Sequence, residues 1–151
     1  MKVNIHTLAA VLAVTSLACS DSSGPTSVSV RATLESAHVR IGTPVRVVVD
    51  VENTGSKAVS INGGDAIAFL EVSNSAGTVV FFGRSGSFDP TTRTTLDVGQ
   101  RVSDTPVWSG EPIGPNVSTA QPGTYRVRAF VPVGSRGNYV FSDPLEVTLV
   151  P

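Results

Sequence analysis

The sequence predicts an all-β fold of two antiparallel sheets packed face to face, and three observations carry that prediction. First, Tyr125, Val127, Ala129 and Val131 take every second position after a Pro122-Gly123 turn signal, with Arg126 and Arg128 between them. That is the period of a strand with one buried face. Second, the 151 residues include 14 Gly and 10 Pro, and these recur between short apolar runs, the punctuation of a chain of many strands. Third, charged residues make up only 15%, too few of the Glu, Lys and Arg that fill the solvent faces of long helices. Hydrophobic residues reach 40%, so the chain is not a disordered one. Setting aside a targeting segment of about 20 residues, the remaining ~130 would bury about two-thirds of their unfolded surface.

In chain order, Val28, Val30, Ala32 and Leu34 alternate with polar residues and predict a first strand, and Gly42-Thr43-Pro44 breaks the pattern. Val45–Asn53 is the clearest strand after the Tyr125 one, with Val45, Val47, Val49 and Val51 on one face and Arg46, Asp50 and Glu52 on the other. Asn53–Ser56 reads as a turn, and Ala58–Ile61 as a short strand. Ile67–Ser73 and Thr78–Phe82 flank Asn74-Ser75-Ala76-Gly77 as a hairpin. Gly83–Thr95 is rich in Gly, Ser and Thr and predicts a long loop. Leu96–Val98 and Arg101–Trp108 read as strands, Ser109–Gln121 as a second long loop, and Tyr139–Phe141 and Leu145–Val150 as the closing strands. The sum is an immunoglobulin-like antiparallel β-sandwich of about eight strands without the Cys pair of antibody domains, a small barrel being the alternative.

The N-terminal segment has the parts of an export signal. Lys2 and the amino terminus supply positive charge, and Leu8–Leu17 is an apolar run of about ten residues, half the length that crosses a bilayer. Ser16-Leu17-Ala18-Cys19 closes it, and polar Ser20–Thr26 follows. This resembles a bacterial lipoprotein signal with its lipobox, although Ser16 stands where that pattern usually has Leu. The resemblance implies cleavage before Cys19 and lipidation of its thiol. The resulting divisions are a signal over 1–18, a flexible tether over 19–27 and a β-sandwich domain over 28–151. The implied location is the cell envelope, by a lipid anchor in the outer membrane or at the cell surface, with plain secretion as the alternative. Cys19 is the one cysteine of the chain, so stability must come from packing rather than an intrachain disulfide.

Three further stretches look alike to one known family. Val51-Glu52-Asn53-Thr54-Gly55-Ser56-Lys57-Ala58-Val59, the hairpin around Phe69–Val72 and Val79–Phe81, and Val107-Trp108 with Pro122–Ala129 resemble the opening, central and closing motifs of bacterial intracellular proteinase inhibitor-like (BsuPI-like) domains. The resemblance covers about half the chain. It implies an immunoglobulin-like sandwich and, by the family's name, proteinase inhibition.

Reactive chemistry is sparse. His6 lies in the signal and His38 stands alone between predicted strands, with no Gly-x-Ser-x-Gly elbow around any serine, so no base-and-nucleophile arrangement is legible. The carboxylates are dispersed and lack the spacing of a calcium loop, zinc ligands are missing, and Gly83-Arg84-Ser85-Gly86 lacks the ending of a phosphate loop. A net charge of −1 without a basic stripe speaks against nucleic acid. The expectation is a non-enzyme that takes no cofactor.

Two functional readings follow. In the first, the domain is a membrane-tethered extracytoplasmic binding module of proteinase inhibitor-like type, and Arg84, Phe88 and Arg93 in the Gly83–Thr95 loop are the candidate specificity residues for a protease. In the second, it is a structural or accessory envelope lipoprotein that pairs with another envelope protein, the strand at Ala58–Ile61 offering an open edge. Trp108, Phe69, Phe81, Phe82, Tyr125 and Phe130 either line a ligand face or fill the core. Phe82 stands out because the apolar run Val79–Phe82 places side chains on both faces of its strand, so one face is either covered or exposed as a patch.

Overall fold

The computed structural model describes residues 27–63, 66–85, 91–110, 119–134 and 137–151. The signal segment, most of the tether, Cys19 and Phe88 lie outside the described residues. Those residues hold twelve strands: β1 (Val28–Leu34), β2 (His38–Arg40), β3 (Val45–Asn53), β4 (Val59–Asn62), β5 (Phe69–Asn74), β6 (Val79–Gly83), β7 (Arg93–Leu96), β8 (Arg101–Asp104), β9 (Val107–Trp108), β10 (Gly123–Pro132), β11 (Tyr139–Phe141) and β12 (Leu145–Val150). No helix among the described residues is long and apolar enough to cross a membrane.

The fold is all-β, a sandwich of two main sheets. One has the order β1-β3-β8, with β9 also pairing β3; the other has the order β2-β12-β10-β5-β6, with β11 also pairing β10. A two-stranded ribbon of β4 and β7 completes it. All pairs are antiparallel except β2–β12, which is parallel. The alternation in β3 and β10 is what builds the core. Val45, Val47, Val49 and Val51 from β3 meet Tyr125, Val127, Ala129 and Val131 from β10, all buried in one cluster with Leu70, Val72, Phe81, Trp108 and Val147. Each fully buried aliphatic side chain here is worth roughly 1.5–3 kcal/mol over leaving it in water.

Several boundaries differ from the sequence reading. His38 is not between strands but in β2, beside Thr148. Arg93 is not in a loop but opens β7, opposite Asn62. The expected strand Arg101–Trp108 is two strands, because Pro106 has no N–H for the ladder; its carbonyl instead accepts from Val47 N at 3.2 Å. The strands absent from the sequence reading are β2, of three residues and too short to show a period, and β9, of two, which separates from β8 at Pro106; Tyr139–Phe141 is a strand as expected.

The proposed open edge at Ala58–Ile61 is corrected. β4 pairs β7 on one side, and on the other Ile61 bridges Val133 while Gly134 N donates to Ser60 O at 2.9 Å. β6 is one of the strands that do end a sheet, as β2, β1 and β8 are: among the described residues no strand pairs its outer side.

Buried Asn53 ends β3. Its Nδ2 donates to Lys57 O at 2.8 Å and Leu96 O at 2.9 Å, and its Oδ1 accepts from Gly55 N at 3.0 Å. The turn predicted at Asn53–Ser56 is therefore also a clamp between β3 and the end of β7.

Candidate functional site: an aromatic sheet face beside an open edge

The outer face of the larger sheet follows from its register. In β10 the residues pointing away from the core are Arg126, Arg128, Phe130 and Pro132. Phe130 stands opposite Phe69 of β5 and Phe141 of β11, and Arg128 opposite Glu71, itself opposite Phe82 of β6. Five aromatic side chains thereby share one outer surface. Phe130 stacks on Phe82 at 4.4 Å between ring centroids and on Phe69 at 5.6 Å. Tyr139 meets Phe130 edge-on at 5.2 Å. Such offset and edge-to-face pairs add about 0.5–1.5 kcal/mol each beyond burial.

The cluster is built from within outward. Phe69 and Phe130 are buried with Ala66 as a second small core. Phe82 and Tyr139 remain 42% and 43% exposed. Their rings meet edge-on at 6.1 Å, and beside them opens a cleft of about 310 Å³ lined by both, by Phe69 and Phe130, and by Pro132, Asn62 and Gly63. Val79, on the same edge strand as Phe82, is 50% exposed. β6 thus combines an unpaired edge with exposed apolar side chains, a combination that soluble sheets otherwise avoid. A register irregularity between Val72 and Ser73 lies in its pairing with β5.

One side of the patch is polar and occupied. Arg128 donates through Nε and a terminal nitrogen to Glu71 Oε1, at 3.1 and 2.6 Å, and its guanidinium carbon lies 4.5 Å from the Phe141 ring centre. Arg128, on the outer face of β10, is therefore neutralised within the sheet.

Asp104, at the end of β8, holds the other side. Its Oδ2 accepts from Ile67 N and Ala68 N, both at 3.0 Å, and from the Arg84 guanidinium; its Oδ1 accepts from Thr105 N at 2.7 Å. Burial alone would raise this carboxyl, but the Arg84 hydrogen bond, the Ala68 and Thr105 amides and the Arg84 charge together hold it below its ordinary value of 3.8. Arg84 directly follows β6, so this ion pair ties the open strand to the second sheet.

The sequence-chosen loop residues do not form one presented set. Arg84 is turned inward to Asp104, with a side chain 21% exposed. Arg93 is exposed at the start of β7, and Phe88 lies outside the described residues. Of the aromatic residues that the sequence offers, Trp108, Phe81 and Tyr125 belong to the main core, whereas Phe69 and Phe130 underlie the patch. Tyr139, Phe141 and Asp104 escaped sequence reasoning. The signal for the first two was available: Tyr139 and Phe141 are two apart and so share a face, and Ala129-Phe130-Val131 breaks the polar alternation of β10. His38 is exposed, and no group of three or more His, Cys, Asp or Glu side chains suited to a metal occurs among the described residues.

No family model and no curated protein matches this sequence. Among solved structures, the chain is similar to a β-glucosidase from Erythrobacter marinus at 18% identity and TM-score 0.51, over 82% of this chain and 15% of that one. It is also similar to the alkylpurine DNA glycosylase AlkC of Pseudomonas fluorescens, bound to DNA containing an abasic site analogue, at 12% identity and TM-score 0.52, over 83% of this chain and 31% of that one. A β-glucosidase of Listeria innocua in complex with isofagomine matches at 17% identity and TM-score 0.50, over 81% of this chain and 16% of that one. The chain thus spans under a third of each of these much longer proteins. At such identities the likeness is one of fold alone.

Proposed function

We propose that this protein is a non-catalytic, extracytoplasmic binding module, tethered to a membrane through a lipidated Cys19, that captures an extended segment of a partner protein along β6. The single observation that carries the reading is the coincidence of an unpaired sheet edge with the Phe82–Tyr139 cleft. A partner strand added to β6 would satisfy the free backbone groups of that edge. Its alternate apolar side chains would reach the cleft and the exposed Val79. The aromatic floor supplies the large, rigid contact area on which protein interfaces concentrate their binding energy. The partner is an envelope protein in this reading. Proteinase inhibition, which the BsuPI-like resemblance implies, has less support, since Arg84 is drawn into an internal ion pair.

The test places a photo-crosslinking residue in the full chain at Val79 or Phe82, with Arg31, exposed on the other sheet, as the control position. A discrete adduct from positions 79 and 82 in cells, lost in Tyr139→Asp and absent from position 31, is the expected result. Equal or no crosslinking at all three positions overturns the reading. In parallel, Cys19→Ala releases the chain from the membrane fraction; a variant that still sediments with membranes overturns the anchor. Saturable inhibition of a protease by the intact chain, abolished by Arg93→Ala, would instead favour the inhibitor reading.

A further inference from the structure

Among the described residues, the four strands that end the two main sheets are β1, β2, β6 and β8, and they are not alike. β1 carries Arg31, β2 carries His38 and Arg40, and β8 carries Arg101 and Asp104, whereas β6 reads Val79-Val80-Phe81-Phe82-Gly83 with no charged side chain. Charges on edge strands are a common guard against pairing with another chain, and β6 lacks that guard. The irregularity in its pairing with β5 adds to the difference. Ser73 faces Val79 and Val72 faces Phe81, so Val80 is the extra residue, and Phe82 faces Glu71. Glu71 and Ser73 are two apart in β5 and share the outer face of the sheet. Val79 and Phe82 therefore share it too, although residues three apart on an even strand would point to opposite faces. Both are exposed.

The charges nearest this edge are already matched. Arg84, directly after β6, is held by Asp104, and Glu71, opposite Phe82, is held by Arg128. A strand of a different protein is chosen and kept in register largely by complementary charge, and this edge offers none. A symmetric pairing has the opposite requirement. Across a two-fold axis perpendicular to the sheet, two antiparallel copies of one strand bring like residues near each other, so a charge on the strand meets its own kind. Of the four edges only β6 meets that requirement. Pairing β6 antiparallel with itself also sets Val79 of one copy toward Phe82 of the other on the same outer face, an aromatic–β-branched pair of the kind that stabilises sheets.

We infer that the segment captured along β6 is β6 of a second copy of this chain, paired antiparallel so that the two larger sheets run on as one. The inference rests on the strand-capture reading above and names its occupant: a second copy anchored in the same membrane is the envelope protein of that reading. The aromatic cleft, lined in part by Phe82 and Gly83 of β6, lies along the seam. Five residues on each side make an interface at the low end of what specific complexes bury, so the pairing is weak between free molecules. Two copies confined by their anchors meet at a much higher effective concentration, which favours even a weak pair. The membrane is therefore where the pairing is tested.

Two copies of the full chain bearing different affinity tags are expressed together, one with a photo-crosslinking residue at position 78, the exposed residue just before β6. The expected product is an adduct of twice the chain's mass that carries both tags. Val79→Lys/Phe82→Lys paired with itself, and Val79→Glu/Phe82→Glu paired with itself, set like charges across the seam and should lower the yield at least about tenfold. Co-expressing the lysine variant with the glutamate variant should restore it, which also shows that both fold. If either variant fails to fold, the partner residue in the wild-type adduct, located by mass spectrometry, is the second measurement and should fall in β6. An adduct attached outside β6 overturns the inference, and so does a yield that folded charged variants do not change. Adducts from positions 79 and 82 that contain only a different protein overturn it while leaving the strand-capture reading standing. Silence at both positions removes the two together.

Discussion

Replacing Asp104 by Asn keeps the shape of the side chain and removes its charge, which tests whether this carboxylate holds the open strand in place. In the native protein its two oxygens accept from Ile67 N, Ala68 N, Arg84 and Thr105 N. An asparagine has one accepting oxygen. If that oxygen takes the Oδ2 position, the amide NH₂ faces the Thr105 N–H donor, and the Arg84 guanidinium loses its counter-charge. Losing the charge-assisted contact to Arg84 should cost about 2 kcal/mol and the unsatisfied amide about 1 kcal/mol more, or about 3 kcal/mol in total. Both side chains are largely shielded, at 21% and 11% exposure, so solvent screening does not erase the effect as it would for a surface pair. The assay is urea unfolding of the full chain and the variant at neutral pH, repeated towards acid. The carboxyl is held below 3.8 in the fold. Its contribution is therefore fully present above the unfolded value and is lost as the pH falls through the folded one. The two proteins should accordingly converge in stability at the acid end. A difference below about 0.5 kcal/mol at neutral pH, the range of ordinary surface substitutions, would refute the reasoning. So would a gap that does not narrow in acid.

Asn53→Ala removes three hydrogen bonds from a fully buried position and should destabilise by about 3 kcal/mol at about 1 kcal/mol per bond; denaturant titration reads it, and a cost near zero would mean that water takes over. At Gly63, with φ at +150°, an added Cβ would stand 2.2 Å from Ala66 O and 3.2 Å from Phe69 Cε2. Gly63→Ala should therefore cost on the order of 2 kcal/mol and disturb the aromatic cleft, seen as a lowered melting temperature and shifted Tyr139 ring resonances. An unchanged melting temperature would show that the backbone there relaxes freely.

Periodicity along the chain was enough to determine the all-β class and its principal strands. The valines of β3 and the Tyr125–Val131 set of β10 alternate because one face of each lies in the core, and that alternation is written in adjacent residues. The hairpin at Asn74–Gly77 was legible for the same reason: the Asn74 side chain accepts from Ala76 N and Thr78 N at 3.1 and 2.9 Å, a turn chemistry local to five residues. What decides the candidate site is not local. Phe82 could have been covered or exposed until β6 was seen to end its sheet, and Ala58–Ile61 looked open until Val133 and β7 were seen on either side of it. Arg84 read as a loop cation because its carboxylate, Asp104, lies twenty residues away in sequence. A strand's period states which side chains share a face. Only the pairing of strands distant in sequence decides which edges stay open and which charges meet.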